Sequence, residues 1–361
     1  MILIYITIFL SSSIIAFINL SPQFGANPSK KQREQYSKFD NYENGEFKNI
    51  EKMIRLESDI SFFDFFKKDT NRFPEKNIST KKINYEQFKN SDDSISFAWL
   101  GHSSFIFNIN GKIIFLDPML SDYASPIPIK TLKRYHSEIA ISLDDIDSVD
   151  VIIISHDHYD HLDYKTIKKL NNKVKKYIVP IGIGNHLKEW GVNEKNITEL
   201  NWYQNVMYTN INFVCLPSRH YSGRGPKNKN STLWGSWAIM TDQSKIYFSG
   251  DGGYGKHFKE IGNKYGPFDL TLIDSGQYNK AWQHSHMFPK ESVQAAIDLK
   301  ADFYMPIHWG AFVLSMHHWT EPVEKAKFYA DQKKQKIITP QIGQIIKFNQ
   351  LNTTNTNAWW K

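Results

Sequence analysis

The stretch Ser155-His156-Asp157-His158-Tyr159-Asp160-His161-Leu162-Asp163 follows directly on the apolar run Val151-Ile152-Ile153-Ile154. A β-branched run of this kind predicts a buried strand, and the polar cluster then sits at its carboxyl end. In open α/β sheets that end is where ligands bind. Three imidazoles and three carboxylates fall within eight positions here, and His and Asp are preferred ligands of zinc and similar divalent metals. Chance clustering of polar loop residues accounts poorly for so dense a set. The segment therefore predicts a metal site.

His-x-His-x-Asp-His offers more donors than one tetrahedral ion accepts from a single turn. His156 and His158 are placed to flank one metal, with Asp160 and His161 turned toward a second. Each metal then needs ligands from elsewhere, and the candidates all close apolar runs. His220 ends Asn212–Arg219, Asp251 follows Lys245–Gly250, and His308 follows Ala301–Ile307. Any one alone would read as a structural residue, but four strand-end events in this order would not.

These words, together with Trp99-Leu-Gly-His-Ser-Ser104, Leu116-Asp-Pro118, Phe248-Ser-Gly-Asp-Gly-Gly-Tyr254 and Ile307-His-Trp-Gly310, resemble the metallo-β-lactamase-fold hydrolases. Within them the pattern is similar to the branch containing N-acylphosphatidylethanolamine-hydrolysing phospholipase D, from about Ser21 to Lys327. The resemblance implies a four-layer αββα sandwich and two Zn2+, other divalent metals being possible. One zinc would lie on His156, His158 and His220 and the other on Asp160, His161 and His308, with Asp251 bridging. Asp157 departs from the amide of the mammalian-type enzyme. The implied chemistry is hydrolysis of a phosphodiester by a hydroxide held between the metals, since zinc brings the pKa of its water to about 7. Asp160 and Asp251 are then catalytic as well as ligating. His286 stands where the family has a His near the substrate, to orient phosphate or assist proton transfer; His284 competes for that role.

Around the ligands, Asp117 either holds the far nitrogen of a ligand His or simply ends a strand before Pro118. His102 reads as a structural hydrogen-bonding residue ahead of a direct role. Tyr159 contacts substrate or metal, or packs. His318 is more family-like than His317, although a solvated surface is the default for both. Asp163 reads as a helix N-cap, a role Asn would fill about as well. The single cysteine, Cys215, lies in an apolar strand and reads as packing.

With 361 residues and 41% hydrophobic content the chain can bury a large core. One cysteine excludes an internal disulfide framework. The net charge of +7 is spread over the catalytic region without a Lys/Arg block, so no nucleic-acid partner is expected. Residues 1–20 are uncharged and mostly apolar and read as a membrane anchor ahead of a cleaved signal. Lys30, Lys31 and Arg33 favour a cytoplasm-facing body. Residues 21–95 form an extension packing on the core, 96–350 the hydrolase domain, and 351–361 a polar tail, with Trp359 and Trp360 frayed. The apolar cluster Ile60–Phe66 either packs on the core or faces lipid. The expected substrate is N-acylphosphatidylethanolamine or a related phospholipid at a membrane. A sugar-phosphate lactonase is the alternative, ahead of a nuclease and of a non-catalytic metal-binding scaffold. Oligomeric state is not legible.

Overall fold

The computed structural model describes residues 1–54, 70–136, 138–226, 228–354 and 357–361, with the backbone alone at 2, 3, 10, 14 and 70. The Ile60–Phe66 cluster lies outside the described residues.

The strands β1 (Ile95–Trp99), β2 (Phe105–Ile109), β3 (Lys112–Leu116), β4 (Val149–Ile153), β5 (Val174–Pro180) and β6 (Ile197–Leu200) belong to one seven-stranded sheet. A second holds β7 (Asn205–Tyr208), β8 (Ile211–Leu216), β9 (Ser236–Met240), β10 (Lys245–Phe248), β11 (Phe268–Asp274), β12 (Ala301–Ile307) and β13 (Lys336–Ile337). The last strand, β14 (Ile345–Lys347), returns to the edge of the first sheet beside β1. Each sheet runs through three antiparallel pairings and then three parallel ones. The β2–β3 hairpin turns on Asn110 and Gly111, both at positive φ (50° and 75°), as a two-residue primed turn requires.

Side-chain alternation fixes the layers. Along β8, Phe213 and Cys215 face a core shared with Phe97, Phe107 and Ile152 of the first sheet. Val214 and Leu216 face Phe258, Val293 and Ala326. Those residues come from α6 (His257–Lys264), α7 (Pro289–Asp298) and α8 (Glu321–Lys333). β12 repeats the pattern, with Met305 toward the sheet–sheet core and Tyr304 toward the helices. The first sheet is covered by α4 (Tyr164–Leu170) and α5 (Ile183–Glu189) through Ile167, Leu170 and Leu187. The result is the expected αββα sandwich, in which period-two burial on both faces demands two covered sheets.

Two expectations change. Asp163 does cap α4, accepting from the Lys165 and Thr166 amides. Its carboxylate also accepts from the Ser121 amide at 3.0 Å, the Ser121 hydroxyl at 2.9 Å and the Thr166 hydroxyl at 2.5 Å. Every partner is a donor, so an amide would not replace it. The tail is not frayed at its end: Trp360 is buried, and Trp359 stacks on Trp309 at 5.4 Å, because indole area is worth more against the neighbouring indoles than in water.

Ahead of the extension lies α1 (Ile2–Leu20), whose Ile4, Ile8, Phe9, Ile15 and Leu20 are exposed. At about 1.5 Å per residue it spans about 28 Å, short of a hydrocarbon core of about 30 Å, with Ser11–Ser13 near its middle. Among the described residues no helix is long and apolar enough to cross a membrane. After α2 (Lys30–Tyr36) and α3 (Tyr85–Lys89), the chain enters β1.

Candidate metal centre

β4 ends at Ile153 inside its sheet, between β3 and β5, and the following loop carries His156, His158, Asp160 and His161. Loops after β8, β10 and β12 bring His220, Asp251 and His308 from the other sheet. All seven converge at one end of the sandwich. His156 Nε2 lies 2.9 Å from His158 Nδ1, which is 3.2 Å from His220 Nε2. Beside them Asp160, His161 and His308 form a second group together with His102. Within each group the donor atoms lie within 4.8 Å of one another. Asp251 stands between the two groups. Its carboxylate is 3.1 Å from both His161 Nε2 and His308 Nδ1, 3.7 Å from His156 Nε2 and 3.9 Å from His220 Nε2.

Burial makes these donors costly without a partner. His161 Nε2 and Asp251 Oδ1 are both buried with no hydrogen-bond partner. His161 donates Nδ1–H to Asp117 at 2.7 Å, which turns Nε2 into the centre as an acceptor. A divalent cation fits that need: two orphaned atoms, imidazoles and carboxylates of suitable chemistry, and donor groups of three or more.

Burial shifts the titrations. It pushes the Asp251 carboxyl up to about 7 against the pull of His161. Burial, helped by the neighbouring imidazoles, holds His156 well below the ordinary value. For His161 burial opposes the charge, yet Asp251 and Asp160 win and raise it well above normal. So much anionic field in a buried place is a place for cations.

The supporting residues sort out as follows. Asp117 holds His161 and also accepts from the Ser155 amide (2.7 Å) and hydroxyl (2.5 Å), combining both roles considered for it. His102 Nε2 bonds Asp160 Oδ2 at 2.9 Å, and its backbone pairs with Trp309. His286 Nδ1 lies 3.0 Å from Asp274 and 4.0 Å from Asp251, whereas His284 accepts from the Ile54 amide at the rim. Tyr159 is turned away from the donors. Its hydroxyl donates to the Arg224 carbonyl at 2.5 Å and its ring lies against Phe24 and the Arg224 guanidinium, so its role is packing. His318 bonds Thr320 ahead of α8, and His317 accepts from the Gln277 amide at 2.9 Å, so neither adjoins the donors.

Several residues were missed. Asp274, which holds His286, ends the apolar strand β11 before Ser275-Gly276, the same strand-end signal that marks the candidate ligands. Gln277 donates to the His308 carbonyl. Asn49 clasps the His220 peptide, accepting from its amide at 3.1 Å and donating to its carbonyl at 2.7 Å; nothing in its local sequence signals this.

The centre floors a cavity of about 1090 Å³ that reaches His158, Asp160, Asp251, His286 and His308. The extension supplies a wall, with Lys48 and Lys52 beside Ile50, Met53 and Ile54, and Lys229 lines the same cavity.

The family model of the β-lactamase superfamily domain matches residues 113–309, more than half of the chain. The chain is 36% identical over 278 residues to an uncharacterized protein of Mycobacterium tuberculosis, covering 76% of this chain and 74% of that one. It is 32% identical to N-acyl-phosphatidylethanolamine-hydrolyzing phospholipase D 1 of Caenorhabditis elegans, covering 71% of this chain and 76% of the worm protein. A solved metallo hydrolase of Ignicoccus hospitalis, Igni18, matches with a TM-score of 0.53 and 19% identity, over 70% of this chain and 97% of its own. That last likeness concerns the fold alone.

Proposed function

The chain belongs to the β-lactamase superfamily domain family and is a metal-dependent hydrolase of it, and from that premise we propose a dinuclear zinc phosphodiesterase of phospholipase D type. Its substrate is an N-acylphosphatidylethanolamine or a related phospholipid. The observation that carries the reading is the centre's position: orphaned His161 Nε2 and Asp251 Oδ1 at the floor of a cavity whose walls mix lysines with Ile50, Met53 and Ile54. An amphipathic anion matches such a wall; a small lactone would leave the apolar side chains in water.

His156, His158 and His220 would hold one metal, and Asp160, His161 and His308 the other, with Asp251 shared. Bound zinc supplies Lewis acidity and water ionised near neutral pH. Asp117 fixes the His161 tautomer and Asn49 fixes the His220 backbone. The lysines offer charge to the phosphodiester, and His286, oriented by Asp274, stands beside Asp251 to pass a proton to the leaving oxygen. α1 presents uncharged apolar side chains to lipid and attaches the hydrolase to the membrane that holds its substrate.

The test is a purified, metal-analysed protein assayed in parallel on N-acylphosphatidylethanolamine in mixed micelles and on a sugar-phosphate lactone. About two metals per chain, phosphatidic acid release, and loss on chelation with recovery on adding zinc are expected. Full activity without metal refutes the centre; turnover of the lactone alone refutes the substrate class.

A further inference from the structure

The segment joining α1 to the rest of the chain is strapped to the metal loop from behind. Arg224 is almost wholly buried, and among the described residues no carboxylate lies within ion-pairing distance of it. Carbonyls and rings satisfy its charge instead. Its Nη1 donates to the Asp157 carbonyl at 2.7 Å and to the Leu162 carbonyl at 2.8 Å, the two ends of the turn that carries His158, Asp160 and His161. Its Nε donates to the Gln23 carbonyl at 2.8 Å. The guanidinium lies over the rings of Tyr159 and Trp190, 4.1 Å and 5.1 Å from their centroids.

A second tie runs beside the first. Asp157, between two ligands, accepts from His186 Nε2 at 3.2 Å, and His186 Nδ1 accepts from the Ala26 amide at 3.0 Å. Trp190 donates to the Pro22 carbonyl at 2.6 Å. Gly25 sits at φ +67°, where an added Cβ would lie 2.0 Å from His186 Nδ1. A packed contact that close leaves the strap one place to sit.

We propose that Arg224 is a positioning residue, and that it and the strap Pro22–Ala26 act as one latch setting the geometry of the His158–His161 turn. The planar guanidinium keeps Nε on the strap carbonyl of Gln23 and Nη1 on the two turn carbonyls at a fixed separation, which a single ammonium does not. Burial of the cation is offset only while all its carbonyl partners are present, so the strap and the turn hold each other in place. The inference rests on the metal-loop assignment made above.

The experiment uses the full chain loaded with cobalt(II) or zinc, and compares Arg224→Lys, Gly25→Ala and the double variant. Arg224→Lys removes the fork; Gly25→Ala displaces the strap without touching a side chain of the turn. Each single variant is expected to lose about 10–100-fold in metal affinity or in kcat on a soluble diester, the range for residues that orient ligands. The cobalt ligand-field bands should shift while KM stays near wild type. In the double variant the losses should not multiply, because both break the same latch. Far-UV and near-UV circular dichroism separate these effects from unfolding, and Gly25→Ala carries the test if Arg224→Lys fails to fold. Wild-type affinity, spectrum and kcat in Gly25→Ala overturn the latch, as do losses that multiply. A wild-type protein that binds no metal overturns the metal-loop assignment instead.

Discussion

Replacing Asp251 by Asn keeps the volume of the side chain and removes its charge from the point where both donor groups meet. Two imidazole nitrogens, His161 Nε2 and His308 Nδ1, lie 3.1 Å from the carboxylate, and Asp251 is only 3% exposed. At an effective dielectric of about 20, unit charges at that separation interact by about 5 kcal/mol. Relaxation and water entry return part of this, leaving a loss of at least about 3 kcal/mol, or roughly 100-fold. The amide nitrogen also lacks a lone pair to share, so it cannot serve two cations. The variant should bind one or both metals more weakly and hydrolyse a soluble diester at least about 100-fold more slowly. Metal analysis after gel filtration and kcat at saturating zinc measure both. Two tightly held metals and a near wild-type rate in Asp251→Asn would refute the shared-carboxylate reasoning.

Asp163→Asn should lower stability by about 1–3 kcal/mol, read from the urea midpoint, because the amide NH2 would face donors from Ser121, Lys165 or Thr166; an unchanged midpoint would return Asp163 to a simple cap. His136 is buried, donates Nδ1–H to the Glu138 carbonyl and accepts from Arg134. Burial and Arg134 hold its pKa at about 3, against about 6.5 unfolded, so the neutral ring's contribution is complete above about pH 6.5 and falls as pH drops toward 3. His136→Gln should flatten that window by up to about tenfold in the unfolding constant per pH unit, and equal slopes in acid titrations of both proteins would count against it. Removing residues 1–20 should move the protein from vesicle-bound to free in flotation while leaving soluble-diester turnover within about twofold; continued flotation would place the lipid-binding surface elsewhere.

The convergence of the candidate ligand positions was legible because each follows an apolar run, and strand-end placement is a local signal. So were the β2–β3 turn, where Asn-Gly leaves little choice, and the cap of α4. What escaped is what depends on distant partners. Asn49 clasps a residue 171 positions away, and Arg224 meets the Gln23 carbonyl across 201. Neither bond leaves a trace in its own neighbourhood. Asp163 looked replaceable because only its local amides could be foreseen, and Ser121 arrives from 42 positions upstream. The terminal indoles were misplaced for the same reason, and the packing of Tyr159 could not be told from a substrate or metal contact: a ring beside a candidate ligand, or in a polar tail, packs where the fold offers it a surface.

The indole stack gives Trp359 and Trp360 a practical meaning. Trp309 directly follows His308, with Trp99 at 5.1 Å and Trp359 stacked on it at 20°, while Trp360 packs edge-on. An affinity tag fused after Lys361 would therefore be attached one residue from a wedge that supports a candidate ligand, and would tug on it. The same arrangement is a built-in optical gauge: an ion settling on His308 should change the emission of the adjacent indoles, so occupancy can be followed by fluorescence without adding a dye.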